Sequence, residues 1–346
     1  MFMEIKKLVN KELTSYSSQI DRAYRLSHLS PILFNNIKEF ILRDGKRVRP
    51  ILFIIGYLGF KNKPASGLYR SAISLELLHD FMLVHDDIID KSGIRRGKPS
   101  MHALLNRHLA GCRNLKFNGQ DLAILIGDVM YALALDAFLS VKEKPKHKEL
   151  ALKKLISAAL YTESGEFIEL LLEIKPIEQV TKNDIYKIYD YKTANYTFAS
   201  PLTMGATLAG AEHKEINKLL KYGMCLGRAF QIKDDIIGTF SESTDIGKSN
   251  LTDLAEAKRT LLIWYTYNNS DKKDKLTIRK LFSGKRAGKS ELEKIREILF
   301  KSGSLDYAKT EIKCLLDKSE KILKSSKMHN NYCEALREFS RKILKV

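Results

Sequence analysis

Apolar residues recur along this chain at helical rather than strand spacing. Leu75, Leu78, Met82 and Ile89 lie on one side of one stretch, and Ile216, Leu219, Leu220 and Gly223 on one side of another. Period-two alternation over four or more residues is hard to find. The pattern predicts an all-α protein of about ten or more helices. Gly, Pro, Ser and Asn punctuate it at 61–67, 143–147, 174–183, 241–250, 283–290 and 302–304. Thr181 stands three residues before Asp184, a variant of the capping box that opens the next helix. No repeat, low-complexity tract or long linker is visible, so residues 1–346 read as one large helical domain.

The most apolar run, 122–139, is interrupted by Asp128 and Asp136, and two acids are costly in a bilayer core. No membrane span is therefore expected. The first residues, MFMEIKKLVNKE, lack the apolar core of a secretory signal, and a cytoplasmic protein is expected. The four cysteines are far apart and form no CxxC pair, which suits free thiols of a reducing compartment.

Charge changes the picture. Of 346 residues, 59 are Lys or Arg and 41 are Asp or Glu, a formal net charge of +18. Such a balance suits nucleic acid, an anionic membrane surface or an anionic small molecule. Residues 271–346 carry 21 Lys plus Arg against 11 Asp plus Glu, so +10 of the excess is theirs. Spread over helical segments, it reads as solvated helix faces.

Acidic residues interrupt two apolar stretches. Within 75–102, LELLHDFMLVHDDIIDKSGIRRGKPSMH, Asp86, Asp87 and Asp90 form D-D-x-x-D. Asp86 and Asp90 stand about 40° apart on a helical wheel, one turn above the other. Like charges so placed repel one another, and Phe81, Leu83, Val84, Ile88 and Ile89 surround them with apolar groups. The cluster calls for a cation, and hard oxygen ligands favour Mg²⁺, which keeps waters and bridges to substrate phosphates. Asp234 and Asp235 interrupt a second apolar run, FQIKDDIIGTF. Cations accompany both clusters: Gly45-Lys46-Arg47-Val48-Arg49-Pro50, Arg95-Arg96-Gly97, Lys192-Thr193, Gly247-Lys248 and Lys258-Arg259-Thr260. Acids for a metal and forked or ammonium cations for phosphate oxygens together describe a diphosphate site. No zinc motif or aromatic–basic run argues for nucleic acid.

In this order the residues resemble the trans-prenyl diphosphate synthases, or polyprenyl synthetases. LVHDDIID followed by RRG is similar to the family's first aspartate-rich motif. FQIKDDIIG followed by GK and DLAEAKRT is similar to the second. The matches run from Gly45 to Thr260, about two-thirds of the chain. The resemblance implies the isoprenoid synthase fold, helices around a deep central cavity, usually as a homodimer. It implies Mg²⁺-assisted ionisation of an allylic diphosphate, attack by the double bond of isopentenyl diphosphate, and loss of a proton. About three Mg²⁺ ions would be bound with diphosphate.

Residue by residue, the resemblance makes Asp86 and Asp90 metal ligands supported by Asp87, and Asp234 a ligand supported by Asp235. Gly45, Lys46, Arg49, His79 and Arg96 fall on the isopentenyl diphosphate site. Arg95, Lys192, Gln231, Lys248 and Lys258 fall on the allylic diphosphate site. Lys192, Thr193 and Gln231 also stand where the family stabilises the developing allylic cation. The wheel adds that His79 lies about 20° from Asp86, two turns down the same face. Two departures stand out. Gly238 occupies the place of a third Asp in the second motif. Glu163-Ser164-Gly165-Glu166-Phe167 stands where many members have Gly-Gln and a later Asp, with Glu166 and Glu169 keeping oxygen functions there.

Phe81, Met82 and Leu78 flank the acids one to two turns down and are the candidate chain-length residues. An aromatic five residues before the first Asp marks short-chain members of the family, and the second aromatic that favours fifteen carbons is absent. The expected product is geranylgeranyl diphosphate (C20), with farnesyl diphosphate (C15) as the alternative. More distant alternatives are a class I terpene cyclase, which lacks the isopentenyl-binding set, and a non-catalytic partner subunit. Weak association with an anionic membrane surface is a further expectation for the Lys-rich end.

Overall fold

The computed structural model describes residues 1–240, 254, 258–282 and 288–344. Their regular structure is helical apart from one two-residue β-ladder. Contacts group the chain into two compact units, Met1–Leu155 with Met204–Ala211, and Ile156–Thr203 with Glu212–Val346.

The first unit opens with α1 (Phe2–Tyr24), α2 (Leu26–Leu29), α3 (Pro31–Ile41) and α4 (Val48–Leu58). Next come α5 (Leu68–Ile89), the antiparallel strands β1 (Ile94–Arg95) and β2 (Lys98–Pro99), α6 (Met101–Leu109) and α7 (Gly119–Leu139). α8 (Pro145–Glu173) contributes its residues up to 155. α5 is the hub, packed on α7, α4, α1 and α6. It is buried almost all round, so Glu76, Asp80 and Asp87 are buried along with Leu75, Leu78 and Met82, whereas Ile89 at its end is exposed. Gly127 lets α7 approach: a Cβ there would lie 2.4 Å from the His85 ring.

α7 starts where Asn118 and Asp121 form a capping box, each side chain accepting from the other's backbone N–H. Among the described residues it is the helix long and apolar enough to cross a membrane, with 44% of its most apolar window buried. Its Ala123, Ile126, Met130, Ala134 and Phe138 are buried. Asp136 accepts hydrogen bonds from Tyr16 (2.8 Å) and Tyr24 (3.0 Å). These are the marks of a helix packed within its own unit.

The second unit takes α8 from residue 156, then α9 (Lys182–Ile188), which continues directly into a π-helical segment, Tyr189–Ala199. α10 (Ser200–Ala209) follows, its residues from 204 belonging to the first unit, then α11 (His213–Phe240). After the described residue 258 come α12 (Leu261–Asn269), α13 (Lys272–Leu281), α14 (Lys289–Lys301), α15 (Ser304–Lys324) and α16 (Asn330–Ile343). Thr181 and Asp184 form the capping box of α9. α11 is this unit's hub, packed on the π-helical segment and on α15. Its approach to the π segment is close enough that a Cβ on Gly227 would lie 2.3 Å from the Ala194 Cα. Arg228 fastens the same contact with paired hydrogen bonds to Asp190 of 2.5 and 2.6 Å.

The breaks near 61–67, 143–147, 174–183 and 302–304 are present. Residues 241–250 and most of 283–290 lie outside the described residues. The β1–β2 pair escaped the pattern because two residues per strand are too few to show a period.

Candidate active site

The acidic end of α5 and the basic residues around it form one cluster, within the first unit. Asp86 and Asp87 stand in the last turn, and Asp90 closes the helix with its N–H on the Asp86 carbonyl at 2.8 Å. The three acids have different surroundings. Asp87 is buried and takes the Nε of Arg95 at 2.7 Å and its Nη2 as well. Burial raises its carboxyl above the usual range despite the opposing Arg95. Asp86 is half-buried and Asp90 exposed, the two that face outward.

The β1–β2 hairpin carries Arg95 and Arg96. Its turn needs left-handed backbone at Arg96 (φ 53°) and Gly97 (φ 72°), a conformation natural for Gly and strained for Arg. Arg43, buried at the end of α3, braces the hairpin. Its Nη2 donates to the Pro99 carbonyl at 3.0 Å and its Nη1 to that of Arg95 at 3.4 Å, while Glu39 holds its Nε at 3.0 Å.

The basic run before α4 divides in the same way. Arg47, also left-handed (φ 53°), turns inward. It pairs with Glu76 at 2.5 Å and donates to Asn10 Oδ1 at 2.9 Å and to the Arg43 carbonyl at 2.6 Å. Lys46 stays exposed and Arg49 half-buried. Burial and the guanidinium groups of Arg49, Arg96, Arg95 and Arg47 hold His79 neutral, well below the usual histidine range. A Cβ on Gly45 would touch the Arg96 guanidinium at 3.4 Å, so Gly45 and Arg96 are neighbours. The structure thus brings Gly45, His79 and Arg96 together, with Arg49 close enough to His79 to act on its charge.

A second cluster, within the second unit, lines a cavity of about 190 Å³ with Glu169, Glu173, Lys192, Thr193, Gln231, Asp234, Asp235 and Lys258. Lys192 lies in the π-helical segment, whose wider turns depart from α-helical register. Gly165 lets α8 come against it, since a Cβ there would lie 2.9 Å from the Lys192 nitrogen. Glu166 and Glu169 of α8 both grip the Lys192 ammonium, the latter at 2.5 Å, and raise its pKa against the opposing effect of burial. Thr193 donates to Gln231 Oε1 at 2.6 Å, and Gln231 donates to Asp235 at 3.0 Å. The buried Asp235 also receives the Tyr189 hydroxyl, which in turn accepts the Leu261 N–H at 3.0 Å. Asp234, the exposed member of the pair, lines the cavity. Lys248 lies outside the described residues.

Phe81 packs its ring on His85 (centroids 4.6 Å apart) and on Tyr131 of α7 (5.3 Å). Met82 and Leu78 are buried. Sequence reasoning passed over Arg43, Glu76, Asp80, Tyr131 and Tyr189. A signal existed for two of them: Glu76 and Asp80 are acids at i and i+4 in an apolar helix, the same sign that drew attention to Asp86 and Asp90.

Comparisons with known proteins identify the family. The family model for polyprenyl synthetase matches residues 30–299. A geranylgeranyl diphosphate synthase of Sulfolobus acidocaldarius is 30% identical over 310 residues, 89% of this chain and 86% of that protein. A geranylfarnesyl diphosphate synthase of Aeropyrum pernix is 31% identical over 291 residues, 82% and 85% of the two chains. The crystal structure of a geranylgeranyl pyrophosphate synthase of Corynebacterium glutamicum, complexed with isoprenyl diphosphate and magnesium, superposes with a TM-score of 0.89 at 24% identity. That match covers 100% of this chain and 99% of the other. The helical architecture is therefore the isoprenyl synthase fold. With the family model spanning both acidic motifs and most of the chain, this protein belongs to the polyprenyl synthetase family and is a trans-prenyltransferase.

Proposed function

We propose that the enzyme condenses isopentenyl diphosphate with an allylic prenyl diphosphate and stops at the C20 product, geranylgeranyl diphosphate. The observation that carries the reading is the ordered pairing at the end of α5. Asp87 is buried on Arg95, while Asp86 and Asp90, one turn apart, face outward within the electrostatic reach of the same arginine. Geranylgeranyl diphosphate synthases among the relatives support the product, and so does the Phe81 ring packed on Tyr131 below the acids.

The donor set fits Mg²⁺. No three carboxylates, imidazoles or thiols among the described residues converge on one point. Asp86 and Asp90 would supply one or two oxygens, leaving the remainder of the shell to diphosphate and water, as Mg²⁺ prefers. When bound, the metal would supply positive charge to the departing diphosphate. Asp234 would act likewise, with Asp235 held by Tyr189 and Gln231.

Arg95, oriented by Asp87, and Lys192, Gln231 and Lys258 would bind the allylic diphosphate. Lys46, Arg49, Arg96 and neutral His79 would bind isopentenyl diphosphate. As the allylic C1–O bond breaks, the electron pair leaves with diphosphate, and C1 accepts the isopentenyl double bond. A proton is then lost from the isopentenyl unit. The Thr193 hydroxyl and Gln231 carbonyl oxygen would place partial negative charge near the developing cation.

The test is direct. Purified protein with Mg²⁺, isopentenyl diphosphate and each allylic primer in turn is expected to give a C20 alcohol after dephosphorylation. Turnover of allylic diphosphate alone would indicate cyclisation, and no transfer with any primer would sink the reading.

Phe81 sets the product length in this reading. It lies five residues before Asp86, about 7.5 Å down the helix axis, and is propped by Tyr131. Phe81→Ala is expected to move the main product to C25 or longer. An unchanged chromatographic distribution of prenols would show that the floor lies elsewhere.

A further inference from the structure

Asp80 has no part in the reading above, and its surroundings are unusual. It follows His79 on α5 and is wholly buried, yet neither carboxylate oxygen has a hydrogen-bond partner. Fully buried carboxylates normally accept several donors. The ion-pair partner of Asp80 is Arg96, whose Nη1 stands 3.8 Å away, beyond hydrogen-bond reach. The other arm of that guanidinium, Nη2, stands 3.7 Å from Glu76. That Glu76 oxygen is already taken by Arg47 at 2.5 Å. Arg96 is thus bracketed by two carboxylates one helical turn apart, and only one of them is committed elsewhere. Its guanidinium also lies beside Gly45, where a Cβ would meet it at 3.4 Å.

We propose that Asp80 is a positioning residue for Arg96, competing with the diphosphate of isopentenyl diphosphate for the guanidinium and so setting the affinity for that substrate. The proposal rests on the assignment of Gly45, His79 and Arg96 to the isopentenyl site. It goes beyond that assignment in naming the group that opposes binding there.

The charged groups facing Asp80 are Glu76 on its own helix, Arg47 and Arg49 at the start of α4, and Arg96 of the hairpin. Burial, then Glu76, push its carboxyl up to about 8 against the pull of the three arginines. Below that pH Asp80 is neutral and leaves Arg96 to the substrate. Above it, a negative charge appears 3.8 Å from Arg96 and draws it back. The competition therefore switches on as pH rises.

The experiment compares wild type with Asp80→Asn, which keeps the shape and removes the charge. With allylic diphosphate saturating, KM for isopentenyl diphosphate is measured from about pH 6.5 to 9.5. At pH 7 the two proteins are expected to agree within about twofold. By pH 9 the wild-type KM should exceed that of the variant by about fivefold to tenfold, since one pH unit above its pKa the acid is about 90% ionised. KM for the allylic substrate and kcat should follow the same course in both. Ionisation of the substrate itself is common to both proteins and cancels in the ratio. A ratio that stays flat with pH overturns the proposal. Asp80→Ser serves if Asp80→Asn does not fold. Binding of inorganic pyrophosphate, followed calorimetrically over the same range, gives a second arm: the same pH-dependent ratio supports the proposal and its absence overturns it. Should wild type show no prenyl transfer at all, the functional reading falls, and the pyrophosphate arm still decides what Asp80 does to Arg96.

Discussion

Asp86→Ala is expected to lower kcat by about a thousandfold while changing KM for isopentenyl diphosphate only a few-fold. The hard step is separation of charge at the allylic C1–O bond, and groups that gather positive charge around the departing diphosphate act mainly in the transition state. Asp86 faces outward from the last turn of α5, half-buried, with Arg95 near enough to feel its charge. Loss of its carboxylate would remove an anchor for Mg²⁺ without disturbing the Asp87–Arg95 pair, which is held one residue further on. The fold should survive, with a melting temperature close to wild type, because a half-exposed carboxylate at a helix end contributes little to stability. Radiolabelled isopentenyl diphosphate and a fixed allylic primer give the rate. A loss below tenfold would remove Asp86 from the metal site. Asp87→Ala is a useful contrast, since it releases Arg95 and should act more on KM for the allylic substrate.

Lys192→Met should damage both stability and turnover. In wild type one ammonium sits between two carboxylates, Glu166 and Glu169, whose side chains are 8% and 20% exposed. Without it, two like charges face each other on adjoining turns of α8 with little water to screen them. Breaking a buried pair from one side costs about 3 kcal/mol or more, and a fall of several degrees in melting temperature follows. Because folding raises the lysine pKa above its free value, the lysine keeps its charge beyond about pH 10, and on the alkaline side the stabilisation is lost only above that. Restoring charge balance with Lys192→Met/Glu169→Gln should recover much of the melting temperature but not the rate. That rate is expected to stay about a hundredfold down, as for loss of one charged donor at a site of charge development. Calorimetry and the same radiolabel assay decide it. Wild-type stability in Lys192→Met, or full activity in the double variant, would show Lys192 to be an ordinary surface charge.

Charge bookkeeping from composition needed correction by geometry. Arg47 and Arg49 are two residues apart in one basic run and look alike in sequence. Arg47 is spent on Glu76, Asn10 and a backbone carbonyl, and Arg49 is left half-exposed near His79. Arg43, an unremarkable cation at the end of α3, holds the hairpin that carries Arg95 and Arg96. The π-helical segment shows no signature in Tyr189–Ala199 that periodicity would detect, because its register is maintained by the close passage of Gly227 and by Arg228 on Asp190.

What the sequence determined by itself is whatever depends on neighbours along the chain. Helical period, the Thr181–Asp184 cap, the acidic pairs inside apolar runs and the ordered motifs that mark the family are all short-range patterns, and they were legible. What only the tertiary structure decided is the job of each charge. Glu76 meets Arg47 across 29 residues, Lys192 meets Glu169 across 23, and Arg43 meets Pro99 across 56. A carboxylate or guanidinium has no fixed role until burial and the group opposite are known, because those two settle whether its charge is neutralised within the fold or left for a ligand.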